Sequence, residues 1–397
     1  MSKHLYLASG QHGIIVWVIL LLLMGLGGLV FSASLHYSRQ SAMQKTLASL
    51  ALAQQALLAY ANQPLGTTQC DMNCPRPGDL PCPDRNNDGE AESSCSASSR
   101  LGRLPWKTLG IGDLRDGSGE RLWYAVSERY KNNPRLLPLN MDTPGTWSVT
   151  STEGMTWDAS QGNGVVAVII APMQPLLRVD GWQQQRNDAG VTVAKHYLDS
   201  DGLSDNANPL ENSASGFVMA APSGQFNDVV WPVTATMMHR QMQQQVLAEL
   251  KRVIRCTASP CPALPAAAAV TDDSCLGSQS LNGGQCLPAS VAGLGRLPLD
   301  VSAHWPLAEQ HMLDGDARHH WFQQNGWREQ VFYQPSPTQV LLVMAGEKLP
   351  GQWRETAIHK SALTAYLEAA TLQALQVPDI NALTISSNDS LERLGLP

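Results

Sequence analysis

The sequence predicts an α+β protein. A long amino-terminal helix, first membrane-crossing and then amphipathic, backs an antiparallel sheet, and a second, related helix-plus-sheet domain follows. Three observations lead there. Residues 14–31 read IIVWVILLLLMGLGGLVF, without a charge. The helical pattern continues past them to the first proline, Pro64. A set of short motifs then occurs twice, in the same order, along the rest of the chain.

The apolar run is about 18 residues, and about 22 with Ser32, Ala33, Ser34 and Leu35, enough to span a bilayer as a helix. Beyond it, Leu47, Leu50, Leu57 and Leu58, interleaved with Ala51 and Ala61, form an apolar stripe at helical spacing. Together these segments predict one continuous helix of about 48 residues, roughly 70 Å long. Its first half (residues 14–35) sits in lipid, and its second half packs on a head. A secretory signal cut after Ser32-Ala33-Ser34 is the competing reading. The apolar region exceeds the usual 7–15 residues, and the helical pattern runs through the cut.

A greasy half-helix, an amphipathic half-helix and a head resemble the type IV pilins and type II secretion pseudopilins over roughly residues 10–130. The resemblance implies a leader, residues 1–13, cut between Gly13 and Ile14, with Lys3 and His4 as its basic residues. It implies the bacterial inner membrane, a periplasmic bulk, and other pilin-like subunits as partners through the amino-terminal helix. Val18, fifth after the cut, stands where most pilins have glutamate, as in minor, often tip-located members.

The chain has 397 residues, 43% hydrophobic and 15% charged, with a formal net charge of −7. An acidic chain without basic tracts argues against general nucleic-acid binding, which sets Lys and Arg against phosphate. There are 8 cysteines in two clusters: Cys70, Cys74, Cys82 and Cys95, then Cys256, Cys261, Cys275 and Cys286. An even count behind a membrane segment reads as disulfides in an oxidising compartment. No pair has the Cys-x-x-Cys spacing of a zinc knuckle. Cys82–Cys95 and Cys275–Cys286 are the preferred bridges, leaving Cys70–Cys74 and Cys256–Cys261; the spacing does not fix the connectivity.

Leu-Gly-Arg-Leu-Pro occurs at 101–105 and again at 294–298. A turn and aromatic strand at 116–127 is answered at 325–336, the apolar run VVAVIIA at 165–171 by VLLVMAG at 340–346, and the segment 181–199 by 351–368. A proline-free helix at 235–254, with Met238, Met242, Val246 and Leu250 on one face, opens the second set. The period is far too long for a solenoid. Two tandem domains are expected, residues 36–225 and 226–397. A helix laid on an antiparallel sheet buries one face of each.

Chemistry is sparse. Asp84, Asn86, Asp88, Glu90 and Glu92 have the D-x-N-x-D-G register of a calcium loop, with Gly89 at the turn. Cys95 stands where the bidentate glutamate belongs, and Glu92 is the substitute ligand. The competing reading is a hydrophilic turn closed by Cys82–Cys95. Asp199, Asp201 and Asp205 form a weaker acidic cluster; His304, His311, His319 and His320 have no metal-ligand spacing. No nucleophile elbow, zinc-protease motif, phosphate loop or dinucleotide fingerprint occurs. The expectation is a non-enzymatic, membrane-anchored, pilin-like minor subunit. The alternative is an anchored periplasmic binding or adhesin protein unrelated to filaments. Most of the tryptophans are expected in the core.

Overall fold

A computed structural model describes residues 10–63, 75–135, 137–187, 191–254, 264, 266–270, 293–297, 321–336, 339–375 and 385–395. Cys70, Cys74, Cys256, Cys261, Cys275, Cys286 and the four histidines at 304–320 lie outside them.

Helix α1 (Gly10–Ala61) is 52 residues long and unbroken. No proline interrupts it, and no glycine pair kinks it. At residues 17–28 every side chain is exposed, and the stretch Trp17–Ala61 is long and apolar enough to cross a membrane. Farther along, Thr46, Leu50, Ala53, Leu57 and Ala61 are buried at spacings of three and four, one face of a helix. Leu47, expected in that stripe, is 41% exposed. The inward face is drawn by Thr46 and the alanines, because small side chains let the sheet approach closely.

Four strands form the first sheet, in the order β1 (Leu101–Arg103), β2 (Trp123–Val126), β5 (Val165–Ala171) and β7 (Val229–Thr234). All neighbours are antiparallel. β5 is buried along its whole length because the sheet is covered twice. Tyr124, Val126, Val166 and Ile169 face the helices. Trp123, Ala125, Val168 and Ile170 face a second core with Trp147, Tyr197 and Phe217. A small three-stranded sheet completes that cover: β3 (Val149–Ser151), β4 (Thr156–Trp157) and β6 (Phe217–Met219), with β3 and β6 parallel.

Helix α2 (Ala235–Val253) follows β7 directly. The division expected at 225–226 therefore moves to Thr234, since β7 hydrogen-bonds to β5 and belongs to the first sheet. The second sheet has the order β8 (Gly295–Arg296), β9 (Val331–Pro335), β10 (Gln339–Met344) and β11 (Ser390–Gly395), again antiparallel throughout. Met238, Met242, Val246 and Leu250 of α2 are fully buried in the cluster that also holds Val331, Tyr333, Leu342 and Met344. That same cluster contains Leu50 and Leu57 of α1, so the two heads share one core.

The direction of travel along α1 orders everything else. Its near end, toward the exposed apolar half, meets Gly117 and Met173; its far end meets Asn132, whose amide donates to the Tyr60 hydroxyl at 3.0 Å, and Gly78. β5 therefore runs toward the near end. α2 begins beside Gln54 and reaches Gln63 by Gln245, so it continues outward in the same sense. The second head stands beyond the first.

Candidate functional site

The near end of the first head grips α1 through the Asp116-Gly117-Ser118-Gly119 turn. The Gly117 amide donates to Thr46 Oγ1 at 2.9 Å, and Ser49 Oγ donates to the Arg115 carbonyl at 2.8 Å. A Cβ on residue 117 would lie 2.1 Å from the Ala42 carbonyl oxygen, so only glycine fits. Asp116 is buried and fully used. Its carboxylate accepts from the amides of Ser118 and Glu120 within the turn and from Met173 at the end of β5, at 2.8–2.9 Å. One turn thus ties the emerging helix to two strands. Gly13 and Ile14, the expected processing site, lie in the first turns of α1.

Residues 84–92 fold as a self-capped loop. Asp84 is 1% exposed, and its two oxygens accept from Asn87 N at 2.6 Å and Gly89 N at 2.7 Å. Burial pushes its carboxyl above the usual range. Asp88 accepts from Glu90 N and from Asn86 Nδ2; Glu92 accepts from Arg85 N; Glu90 accepts from Thr108. The Glu90 amide holds the exposed Asp88 carboxyl below its ordinary value. Gly89, at φ +89°, lies over Trp106, whose ring a Cβ there would strike. Among the described residues no three His, Cys, Asp or Glu side chains gather as a metal centre. Cys82 and Cys95 are disulfide-bonded below the loop.

The cluster Asp199, Asp201 and Asp205 does not converge. Asp201 and Asp205 cap their own turns, and Asp205 pairs with buried Arg178 at 2.9 Å. Asp199 instead faces Asp228. Asp228 Oδ2 accepts from Asp199 N at 2.7 Å, and Asp199 Oδ2 accepts from Asn227 N at 2.6 Å and Asp228 N at 3.1 Å. Burial and then the facing Asp199 push the Asp228 carboxyl well up. Its Oδ1 has no hydrogen-bond partner. Sequence reasoning missed Asp228; the Asn-Asp pair preceding a strand was the available signal, and it recurs as Asn388-Asp389.

Between the heads lies a cleft of about 200 Å³, lined by Asp142, Thr236, His239 and Glu347 among others. His239 Nε2 is 3.3 Å from the Tyr130 hydroxyl, which itself donates to the Thr143 carbonyl, so Nε2 carries the hydrogen. Nδ1 faces Glu347 at 3.8 Å. Glu347 also accepts from Thr236 Oγ1 at the start of α2. Of the tryptophans expected in the core, Trp123, Trp147, Trp321 and Trp327 are buried, whereas Trp182 and Trp353 are 41% and 60% exposed. No protein-family model, curated protein or solved structure matches this chain.

Proposed function

We propose that the chain is a non-enzymatic, membrane-anchored, pilin-like minor subunit of a type IV pilus or type II secretion apparatus, with its bulk in the periplasm. The observation that supports this is α1. It is one uninterrupted helix, exposed and apolar at residues 17–28 and built into the head at residues 46–61. A detachable anchor would need no such continuity. In this reading the apolar half holds the subunit in the bacterial inner membrane before assembly and then buries itself among other subunits' helices. Val18 offers no carboxylate for a neighbour's amino terminus, and the second head adds bulk beyond the first. Both favour an initiating or tip position over a repeating one.

We infer further that the two heads descend from one duplicated domain. The support is agreement between the two sheets: Arg103 and Arg296 each lie between two aromatic rings, and Asn227 and Asn388 each donate to the backbone just past a central strand. A calcium role for residues 84–92 belongs to the same reading, and it requires Asp84 to exchange its amide contacts for the ion. Calcium should then raise Tm in the wild type and not in Asp88→Ala; an identical response in both removes calcium from the proposal.

The deciding experiment is the intact mass of the protein extracted from membranes. A cut after Gly13 is expected. An uncut chain points to the alternative, a permanently anchored periplasmic binding protein, which the exposed indoles of Trp182 and Trp353 favour.

A further inference from the structure

The near end of the first head carries apolar side chains that the described chain leaves partly or largely exposed. β5 ends at Ala171, and the chain continues into a hairpin bridged at Leu177 and Gln183. Arg186 donates back to the Pro172 carbonyl at 2.9 Å, fixing the hairpin's base beside Met173 and hence beside Thr46 of α1. A second turn, bridged at Ser200 and Asp205, lies against it: a Cβ on Gly202 would sit 3.9 Å from Val179, and Arg178 joins Asp205. At the tips, Val179, Trp182 and Leu203 are 42%, 41% and 91% exposed. Leu203 is held outward by a closed turn, since Asp201 Oδ1 accepts from both Leu203 N and Ser204 N.

The corresponding end of the second head meets the first head at one side only, and there Trp353 and Ile358 remain 60% and 78% exposed. Arg354 pairs with Asp142 at 2.6 Å, and Glu347 reaches Thr236 and His239. Of these contacts, the Arg354–Asp142 pair reaches the first head. The element beyond the same end of the first head is the apolar half of α1.

We infer that the two near-end turns of the first head rest in the interface of the bilayer that α1 crosses, with Trp182, Val179 and Leu203 at the lipid boundary. This rests on the membrane-anchored reading of α1. Distances permit it. Ala42, gripped by the Gly117 turn, is seven residues beyond Leu35, about 10 Å along the helix. The polar layer of a bilayer leaflet is itself roughly 5–7 Å deep. Seven extended residues past Met173 reach as far as roughly 20 Å, enough to span that gap. The chemistry fits too. Indole prefers the boundary between hydrocarbon and headgroup. Lys195, whose ammonium sits 4.7 Å from the Trp182 ring and pairs with Asp180 at 2.9 Å, places a polar ion pair beside the indole at headgroup level. The contact would fix the tilt of the head against the membrane before assembly.

The test uses the full-length chain in nanodiscs of phosphatidylcholine and phosphatidylglycerol, with and without acyl-chain bromine as a short-range quencher. Trp182 emission is isolated as the difference between wild type and Trp182→Phe, and Trp17 emission likewise with Trp17→Phe. Loss of most Trp182 emission in brominated discs is expected, with its recovery in Leu203→Asp. Leu210→Asp, an exposed leucine elsewhere on the first head, should leave the quenching intact. Trp17 quenched with Trp182 unquenched overturns the inference and leaves the anchor standing. Neither quenched overturns the anchored reading, and the inference with it. Quenching of Trp182 that survives Leu203→Asp overturns the assignment to these turns.

Discussion

The two heads set similar residues at matching places on their strands yet end in different surroundings. Each edge strand carries a buried arginine between two aromatic rings. Arg103 lies 4.3 Å from Trp123 and 3.9 Å from Tyr197, while Arg296 lies 4.5 Å from both Phe332 and Tyr366. Burial lowers both guanidinium pKa values, that of Arg103 to about 10. Each closing strand is preceded by Asn-Asp. Asp228 Oδ2 accepts from Asp199 N, and Asp389 Oδ2 accepts from Glu368 N at 3.2 Å. The asparagine amide of each pair donates to the backbone just after the central strand, Asn227 to Gln174 O and Asn388 to Glu347 O. The difference lies in what surrounds this shared frame. Among the described residues, the first head adds the three-stranded sheet, the Cys82–Cys95 disulfide and α1, long and apolar enough in its first half to cross a membrane. The second leans on the first through Asp142, Asn140 and Met141. The frame is thus sufficient to place a helix on a sheet, and the additions decide which end faces what.

The largest expected effects come from the glycines where each head closes. Gly117→Ala drives a methyl into Ala42, and Gly346→Ala drives one to 2.1 Å from the Asn388 carbonyl oxygen. Each should destabilise by about 3 kcal/mol, seen as a lower Tm of purified protein. If the heads were independent, each variant would produce its own separate melting step; the shared core predicts one common transition.

Removing the disulfide with Cys82→Ser and Cys95→Ser should cost about 2–3 kcal/mol by relaxing a 13-residue separation in the unfolded chain. Reductant should destabilise the wild-type first head more than that of the variant, by limited proteolysis.

Arg103→Lys and Arg296→Lys should each lose about 2 kcal/mol, because a lysine cannot stack a planar group between two rings. Unequal losses, with one near zero, would break the equivalence of the two positions.

The smallest effect is a pH dependence. Asp228 and Asp389 both have carboxyl pKa values raised by burial, that of Asp228 further by Asp199. A folded pKa above the unfolded value means stability fully present below the ordinary carboxyl range near 3.8 and lost as pH rises through the folded value. Stability should therefore decline from mildly acidic toward neutral pH. Asp228→Asn, which mimics the protonated acid, should flatten the decline and raise Tm at neutral pH; Asp389→Asn should do so less. A steeper decline in Asp228→Asn contradicts the assignment.

Sequence alone determined the long helix, the strands at 123–126 and 165–171, and the helix at 235, because each is a local pattern of period or propensity that one buried face enforces. It also determined the ordered motif matches, which needed only comparison of the chain with itself. Tertiary structure decided which face of α1 is inward, since the choice between Leu47 and Thr46 depends on how closely the Gly117 turn can approach Ala42. It decided that residues 84–92 spend their carboxylates on their own amides, because a liganding register and a self-capping register are the same in sequence. It alone brought Asp199 to Asp228 across 29 residues. Their pairing depends on the loop that follows the turn Ala194–His196 packing against the start of β7, and no local periodicity encodes that.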